Sequence, residues 1–320
     1  MKKIVFTICS NNYLAQASLL AESFIRENPD FDFYIGLVDV ILPDIKYPAA
    51  DNLYILPCDK VVPAEQLSEM VKVYKIVELN TSVKPFYISY FFANNNECKV
   101  IYLDPDIYVY NSFNEVINLL DVHDFVITPH ILSPIPLDDQ FPQERVFVKY
   151  GIYNLGFIAL RKGEQSISFV NWWKERLAVL CYSETQMGIF VDQSWVGFLP
   201  VYYKNVHISD HPGMNAAFWN LHERYYQVID NRFYVNKVHP LIFFHFSSFN
   251  LNDINSLARN GTRYTLKDRP DLKKLFEDYG ANFRNAKKMY NSNVECFYTK
   301  RTFIQRAVYY WNRYKIRKSM

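Results

Sequence analysis

Two aspartates two residues apart interrupt a run that is otherwise apolar and aromatic. The stretch KVIYLDPDIYVY, residues 99–110, carries Asp104 and Asp106 among Ile, Val, Leu and Tyr. In an extended chain, positions i and i+2 project to the same face, so both carboxylates would point together. Unscreened, they repel, and one would have to take up a proton. A divalent cation removes that cost, and carboxylate oxygens suit Mg²⁺ or Mn²⁺. The competing reading is a solvated DPD turn between two strands, with Pro105 enforcing the bend. The length of apolar sequence on both sides places the acids inside a strand. Ligands of open α/β sheets gather beyond the carboxyl ends of strands, so a metal held there could hold a diphosphate.

The elements that must position this pair alternate along the chain. KIVFTIC, near the N-terminus, is a continuous apolar run, as in a strand covered on both faces. A helix follows, with Ser10 or Asn11 as its cap and Leu14, Ala17, Ala21, Phe24 and Ile25 at helical spacing. FDFYIGLVD is a second strand, and Pro85 opens a helix before the aspartates. DFVITPHI, YNLGFIALRK, VHISD and PLIFFHFSSF supply further strands, with a helix over 164–180. Strands alternating with helices predict an α/β fold with a mostly parallel central sheet flanked by helices. We divide the chain into a domain at 1–255 and a helical C-terminal extension at 256–320.

Composition narrows the classes. Half of the 320 residues are apolar and 17% aromatic, which excludes a disordered chain. Net charge is only +2, yet residues 299–320 hold seven basic residues and no acid. The rest is therefore net acidic, which argues against nucleic-acid binding. Five scattered cysteines (Cys9, Cys58, Cys98, Cys181, Cys296) read as free thiols of a reducing compartment. The first apolar run is short for a signal peptide, and no stretch is long enough for a membrane span. The expected location is cytoplasmic.

With these pieces in order, VIYLDPDIYVY resembles the D-x-D motif of glycosyltransferases of the type A (GT-A) fold, which use nucleotide sugars. TICSNNYLAQASLLAESF is similar to the nucleotide-binding strand, loop and helix of the glycogenin-like and lipopolysaccharide galactosyltransferase-like enzymes. SVKPFYISYFF stands where their helix before the metal motif stands. YNLGFIAL resembles their N-x-G segment, VDQSWVGFLP their D-Q segment, and FFHFSSF the strand with a histidine metal ligand. PGMNAAFWNLHER and RYTLKDRPDLKKLFEDYG look like a bacterial group within that fold. The likeness spans roughly residues 3–280.

The resemblance implies a metal-dependent hexosyltransferase of cell-surface polysaccharide or lipopolysaccharide synthesis, using Mn²⁺ or Mg²⁺ and retaining anomeric configuration. It makes Asp104, Asp106 and His245 the metal ligands. Thr7, Cys9, Asn12, Tyr13, Asp39, Lys84, Asp104, Asn154 and Gly156 would bind the donor, with Lys84 at the diphosphate. Asp192 and Gln193 would be the catalytic pair, Asp192 stabilising the oxocarbenium-like centre or attacking it. For each there is a plainer duty: a core histidine for His245, a turn for Asp39, a solvated helix start for Lys84, a helix cap for Asp192. Trp219, Asn220, His222, Glu223, Arg224 and His211 would shape the acceptor side.

Departures from the pattern carry information too. No glycine and lysine follow His245, where the chain reads HFSSFNLND, so the diphosphate lacks its usual cation and Arg259 or Arg263 is the substitute. In the tail, Phe303, Ile304, Ala307, Val308, Tyr310, Trp311 and Tyr314 recur at helical spacing between basic residues. A basic amphipathic helix of this kind suits the anionic inner face of a membrane, which fits a glycan or lipid-linked acceptor; a helix packed on the body with a solvated basic face is the alternative. Two other functions stay in view. A nucleotidyltransferase needs a Gly-rich basic loop after the first strand, and SNNYLAQ has neither residue. A non-catalytic sugar-binding relative would have no use for a metal site.

Overall fold

Seven strands form the central sheet of the computed structural model, which describes residues 1–259, 261–290, 294–301 and 303–319. They are β1 (Lys2–Cys9), β2 (Asp32–Leu37), β3 (Leu53–Pro57) and β4 (Cys98–Leu103), then, after a short β5 (Ile107–Val109) that pairs elsewhere, β6 (Phe125–Pro129), β7 (Tyr153–Arg161) and Val206–Ile208. Across the sheet the order is Val206–Ile208, β6, β7, β4, β1, β2, β3. Neighbours are parallel except on the two sides of β7. The expected α/β architecture with a mostly parallel sheet is what forms.

β1 shows why sequence and layer agree. Alternate side chains leave on opposite faces, and here both faces are covered. Ile4, Phe6 and Ile8 enter one apolar layer with Tyr87 and Phe91. Val5 and Cys9 enter the other with Leu20 and Phe24 of the helix α1 (Leu14–Glu27). An uninterrupted apolar run is the only pattern that serves two cores.

Three more helices lead to the site: α2 (Ala64–Val73), α3 (Ile76–Ser82) and α4 (Lys84–Asn94), the last with Pro85 in its first turn. A second, small sheet joins Ala216–Ala217, Phe243–His245 and β5. Its register sets His245 opposite Ile107, next to Asp106 in the chain.

The C-terminal helix Lys273–Tyr290 packs on α1 and stacks Tyr279 against Phe246, with ring centroids 3.6 Å apart. The following helix, Phe303–Ser319, is docked by two buried residues, Tyr309 and Arg313. Arg313 therefore does not belong to a solvated basic face. It makes two hydrogen bonds, 2.8 and 2.6 Å, to the fully buried Glu78 of α3. Val308, Tyr310, Trp311 and Tyr314 are exposed. The side chains of Phe303, Ile304 and Arg317 lie outside the described residues. Among those described, no helix is long and apolar enough to cross a membrane, and all five cysteines are buried and unbridged.

Candidate active site

The strand β4 stops at Leu103, so the two aspartates do not sit inside a strand. Asp104, Pro105 and Asp106 form a turn closed by the Ile107 N–H donating to the Asp104 carbonyl at 3.1 Å. Proline lacks an N–H for the ladder, and the bend it favours ends the strand. The turn reading is therefore the one that forms, and it still leaves both carboxylates side by side. Backbone bonds from Asp104 N to Gly156 O and from Phe246 N to Asp106 O, at 2.8 and 2.9 Å, pin each end to a neighbouring strand.

His245 completes the group. Its Nε2 lies 2.9 Å from an Asp106 oxygen and 3.8 Å from an Asp104 oxygen. The ligand atoms of the three residues all lie within 4.8 Å of one another. Burial opposes charge on the imidazole, yet Asp106 and Asp104 raise its pKa above the ordinary value. Burial would likewise raise Asp106, but His245 more than offsets this and holds its carboxyl low. Asp104 goes the other way, pushed up by burial against the pull of Lys84 and His245, with Asp106 adding to the rise. Two anionic oxygens and an imidazole nitrogen converging on one point fit a divalent cation of the Mn²⁺ or Mg²⁺ kind.

Gly156 explains part of this convergence. A Cβ there would stand 2.5 Å from His245 Cε1 and 2.7 Å from Asn154 Oδ1. The glycine leaves room for the His245 ring to lie against β7, and it also lines the cavity.

Lys84, expected at the diphosphate, is instead buried with its ammonium committed. It donates to the Leu155 carbonyl at 2.9 Å and pairs with the buried carboxylate of Asp192. Its Nζ also sits 3.9 Å from the centre of the Tyr102 ring. The Tyr102 hydroxyl donates to Asp104 at 2.6 Å. One chain of contacts thus runs from Asp192 through Lys84 and Tyr102 to Asp104. The pairing also means that the Asp192 side chain makes no helix-cap bond. Gln193 spends its amide on backbone, accepting from Leu155 N at 2.9 Å and donating to Tyr150 O at 2.8 Å. It sets the edge of β7.

Asn154 is held by a residue that sequence reasoning missed. His130 accepts from the Asn154 amide at 3.0 Å through Nε2, and its Nδ1 lies 3.0 Å from the Ile152 carbonyl. With Nδ1 protonated and donating, both bonds are satisfied by the neutral ring, and burial lowers its pKa to about 4. The available signal was position: His130 follows β6 directly, as the aspartates follow β4.

Eight of the residues expected at the donor, the metal and the catalytic pair line one cavity of about 410 Å³: Lys84, Asp104, Asp106, Asn154, Gly156, Asp192, Gln193 and His245. That is within the range of small-molecule sites. The expected nucleotide residues are not among its walls. Thr7, Cys9 and Asp39 are buried. Asp39 accepts from the backbone N–H groups of Asn11, Val40 and Phe297 at 3.2, 3.0 and 2.9 Å, leaving a base or ribose little to claim. Asn12 and Tyr13 are exposed at the helix start. The Tyr13 hydroxyl is pushed up by burial and by Asp106 and drawn down by Arg259. Arg263 is bidentate to Asp138 at 2.7 and 2.8 Å. Arg259 is exposed, and its backbone N–H donates to Ser248, which lines the cavity.

Of the residues expected on the acceptor side, Trp219 lines the cavity. His211, Glu223 and Arg224 border a separate depression. Asn220 is buried on backbone carbonyls, and His222 bonds the Ser133 carbonyl.

No family model matches the chain. It is similar to two uncharacterized proteins of Bacillus subtilis (strain 168). YfnF is 25% identical over 281 residues, covering 85% of this chain and 89% of YfnF. YfnD is 23% identical over 292 residues, covering 87% and 88%. Among solved structures, the chain is similar to the galactosyltransferase LgtC in complex with donor and acceptor sugar analogs, with TM-score 0.48, 15% identity and coverage of 96% and 99%. The glycosyltransferase GlyE of Streptococcus pneumoniae TIGR4 gives TM-score 0.51 and 13% identity over 92% of this chain and 66% of GlyE. The fold is that of the type A glycosyltransferases.

Proposed function

We propose that this chain is a metal-dependent glycosyltransferase that moves a hexose from a nucleoside-diphosphate sugar to a glycan or lipid-linked acceptor, with retention. The observation that carries the reading is the Asp104–Asp106–His245 group at the carboxyl end of β4, in one cavity with Asp192. A Mn²⁺ or Mg²⁺ held by those three residues would neutralise the departing diphosphate as a Lewis acid.

The chain's own residues divide the remaining work. Cleaving the sugar–phosphate bond develops positive charge at the anomeric carbon. Asp192 is the buried carboxylate for that charge, and the Lys84 ammonium fixes where it points. Asn154, oriented by His130, offers its amide to sugar hydroxyls. Of the three basic residues considered, Arg259 is the candidate to meet the diphosphate, because Lys84 and Arg263 are already paired among the described residues.

The test is release of nucleoside diphosphate from a panel of nucleotide sugars by water alone, with Mn²⁺ present or chelated. Wild type should turn over at least one donor only with the metal, and Asp104→Ala should lose more than about a hundredfold. Metal-independent release, or a wild-type rate in the variant, sinks the proposal.

A further inference from the structure

Five residues of the cavity wall come from one stretch of chain: Phe141, Pro142, Val146, Phe147 and Tyr150. That stretch belongs to the excursion 130–152 between β6 and β7, which includes the short helix Glu144–Tyr150. Its tip, residues 136–142, forms neither helix nor strand, and Leu137 there is fully exposed. Where the tip lies depends on what holds it. We infer that Arg263 is a positioning residue for the reaction: it clasps the tip and so keeps Phe141 and Pro142 in the cavity wall. This rests on the transferase reading above and adds a residue to it.

Two sets of bonds make the clasp. The Arg263 guanidinium donates to both oxygens of Asp138 at 2.7 and 2.8 Å. It also reaches the carbonyls of Gln140 and Pro142 at 3.4 and 3.3 Å. A planar fork of donors can span a carboxylate and two carbonyls together, which the point charge of an ammonium cannot. The second set comes from neighbouring backbone. Phe141 N–H donates to the Thr262 hydroxyl at 2.8 Å, and the Phe141 carbonyl accepts from Thr262 N and Arg263 N at 3.1 and 3.2 Å. On the other side, Gly261 lies against a further wall residue, since a methyl group there would stand 3.2 Å from the Phe218 ring. The clasp ties the tip to the part of the cavity that carries Phe218.

What this does for catalysis follows from the chemistry of the wall. Charge develops at the anomeric carbon and on the departing diphosphate, and Phe141 and Pro142 carry none to answer it. They hold a substrate about equally before and during bond cleavage. Binding of that uniform kind sets KM and leaves kcat alone. A guanidinium placed at the diphosphate, as the sequence suggested for Arg263, would do the opposite, because it would meet charge that grows as the bond breaks. The two roles also differ in what Asp138 does. In a clasp it is the other half of the device; beside a diphosphate-binding arginine it would be a competitor.

The experiment uses the full chain with Mn²⁺ and the nucleotide sugar that wild type hydrolyses in water. It measures kcat and KM for nucleoside diphosphate release in Arg263→Gln, Arg263→Lys, Asp138→Asn and the double variant Arg263→Gln with Asp138→Asn, each checked for folding by circular dichroism. Arg263→Gln should raise KM about tenfold and keep kcat within about threefold of wild type. Arg263→Lys should bring KM part of the way back. Asp138→Asn should raise KM as well, and the double variant no further than Arg263→Gln alone, because one clasp can be opened only once. If Arg263→Gln does not fold, Arg263→Lys and the half-exposed Asp138→Asn carry the same decision. The inference is overturned if folded variants keep the wild-type KM, or if the double variant multiplies the two single effects. It is equally overturned if kcat falls more than about tenfold at constant KM, or if Asp138→Asn lowers KM, since both mark an arginine that serves the diphosphate. In all these cases metal-dependent hydrolysis by wild type still stands and keeps the transferase reading. Absence of hydrolysis itself would remove that reading, and the role of Arg263 with it.

Discussion

Two edges of the same sheet were expected to meet the donor, and the structure treats them oppositely. At the end of β4, Asp104 and Asp106 face a cavity, with an imidazole as their direct neighbour. At the ends of β1 and β2, Asp39 is sealed under backbone, accepting three N–H groups, one from Phe297 far along the chain. Both are acids that end apolar strands. What separates them is whether the fold itself supplies the donors. A carboxylate saturated by backbone amides is a structural fastener. One left to share an imidazole with a second carboxylate is available for a ligand. The contrast extends to the cations, since buried Lys84 is spent on Asp192 while Arg259 stays at the rim.

The sharpest way to break this contrast is to remove one charge from each edge. Asp106→Asn should lower Mn²⁺-dependent turnover by more than about a hundredfold and cost at most about 1 kcal/mol of stability, since relief of the repulsion with Asp104 partly offsets the lost pairing with His245. Asp39→Asn should do the reverse, costing about 2 kcal/mol of stability through its lost charge-assisted bonds while turnover falls by less than threefold or so. Denaturant unfolding and steady-state rates on both variants decide it. If Asp39→Asn abolishes donor turnover in a protein that is still folded, the two edges are equivalent after all.

A smaller effect sharpens the β4 edge alone. Gly156→Ala would push a methyl group to within 2.5 Å of His245 Cε1, so the ring must retreat from the aspartates. Displacing one ligand without deleting it should weaken Mn²⁺ binding about tenfold to a hundredfold, readable by calorimetric titration. Unchanged affinity would show that the glycine serves something other than the histidine.

These contrasts mark how far the sequence could be read. Strand and helix order was legible because runs such as KKIVFTIC must serve two cores at once, and the burial of Ile4 and Phe6 on one side and Val5 on the other shows that they do. The Asp104–Asp106 pair was legible as a candidate site because like charges two apart in an apolar run need a reason, whereas His245 was named only by the resemblance. The site's partners were not legible. Nothing local tells Lys84 that Asp192, 108 residues away, will meet its ammonium, or Asp39 that Phe297 will cap it. Such pairings are made by topology. The aromatic walls of the cavity were hidden for a related cause: no spacing or motif singles out Phe141, Phe190 and Phe218, and only the topology gathers them there. His130 was overlooked because it was read only as part of a strand end.

His130 offers the gentlest probe, because it lines the cavity beside Asn154 and is none of the proposed metal ligands. Its ring titrates ordinarily near 6.5 and is held by burial to about 4. The unfolded chain therefore binds more protons than the folded one between those values, and stability must rise with pH across that window. In the other direction, this contribution is complete above 6.5, shrinks as pH falls, and is gone by about 4, a change on the order of 3 kcal/mol. Carboxylates titrate at the lower end of the same range, so the useful quantity is a difference between two proteins. His130→Gln keeps an acceptor for Asn154 and removes the titrating group. Its unfolding free energy should be flatter than that of wild type from pH 6.5 to 4, with the gap opening first near the upper end. Superimposable profiles would mean that the histidine is not buried neutral, and that Asn154 is oriented by something else.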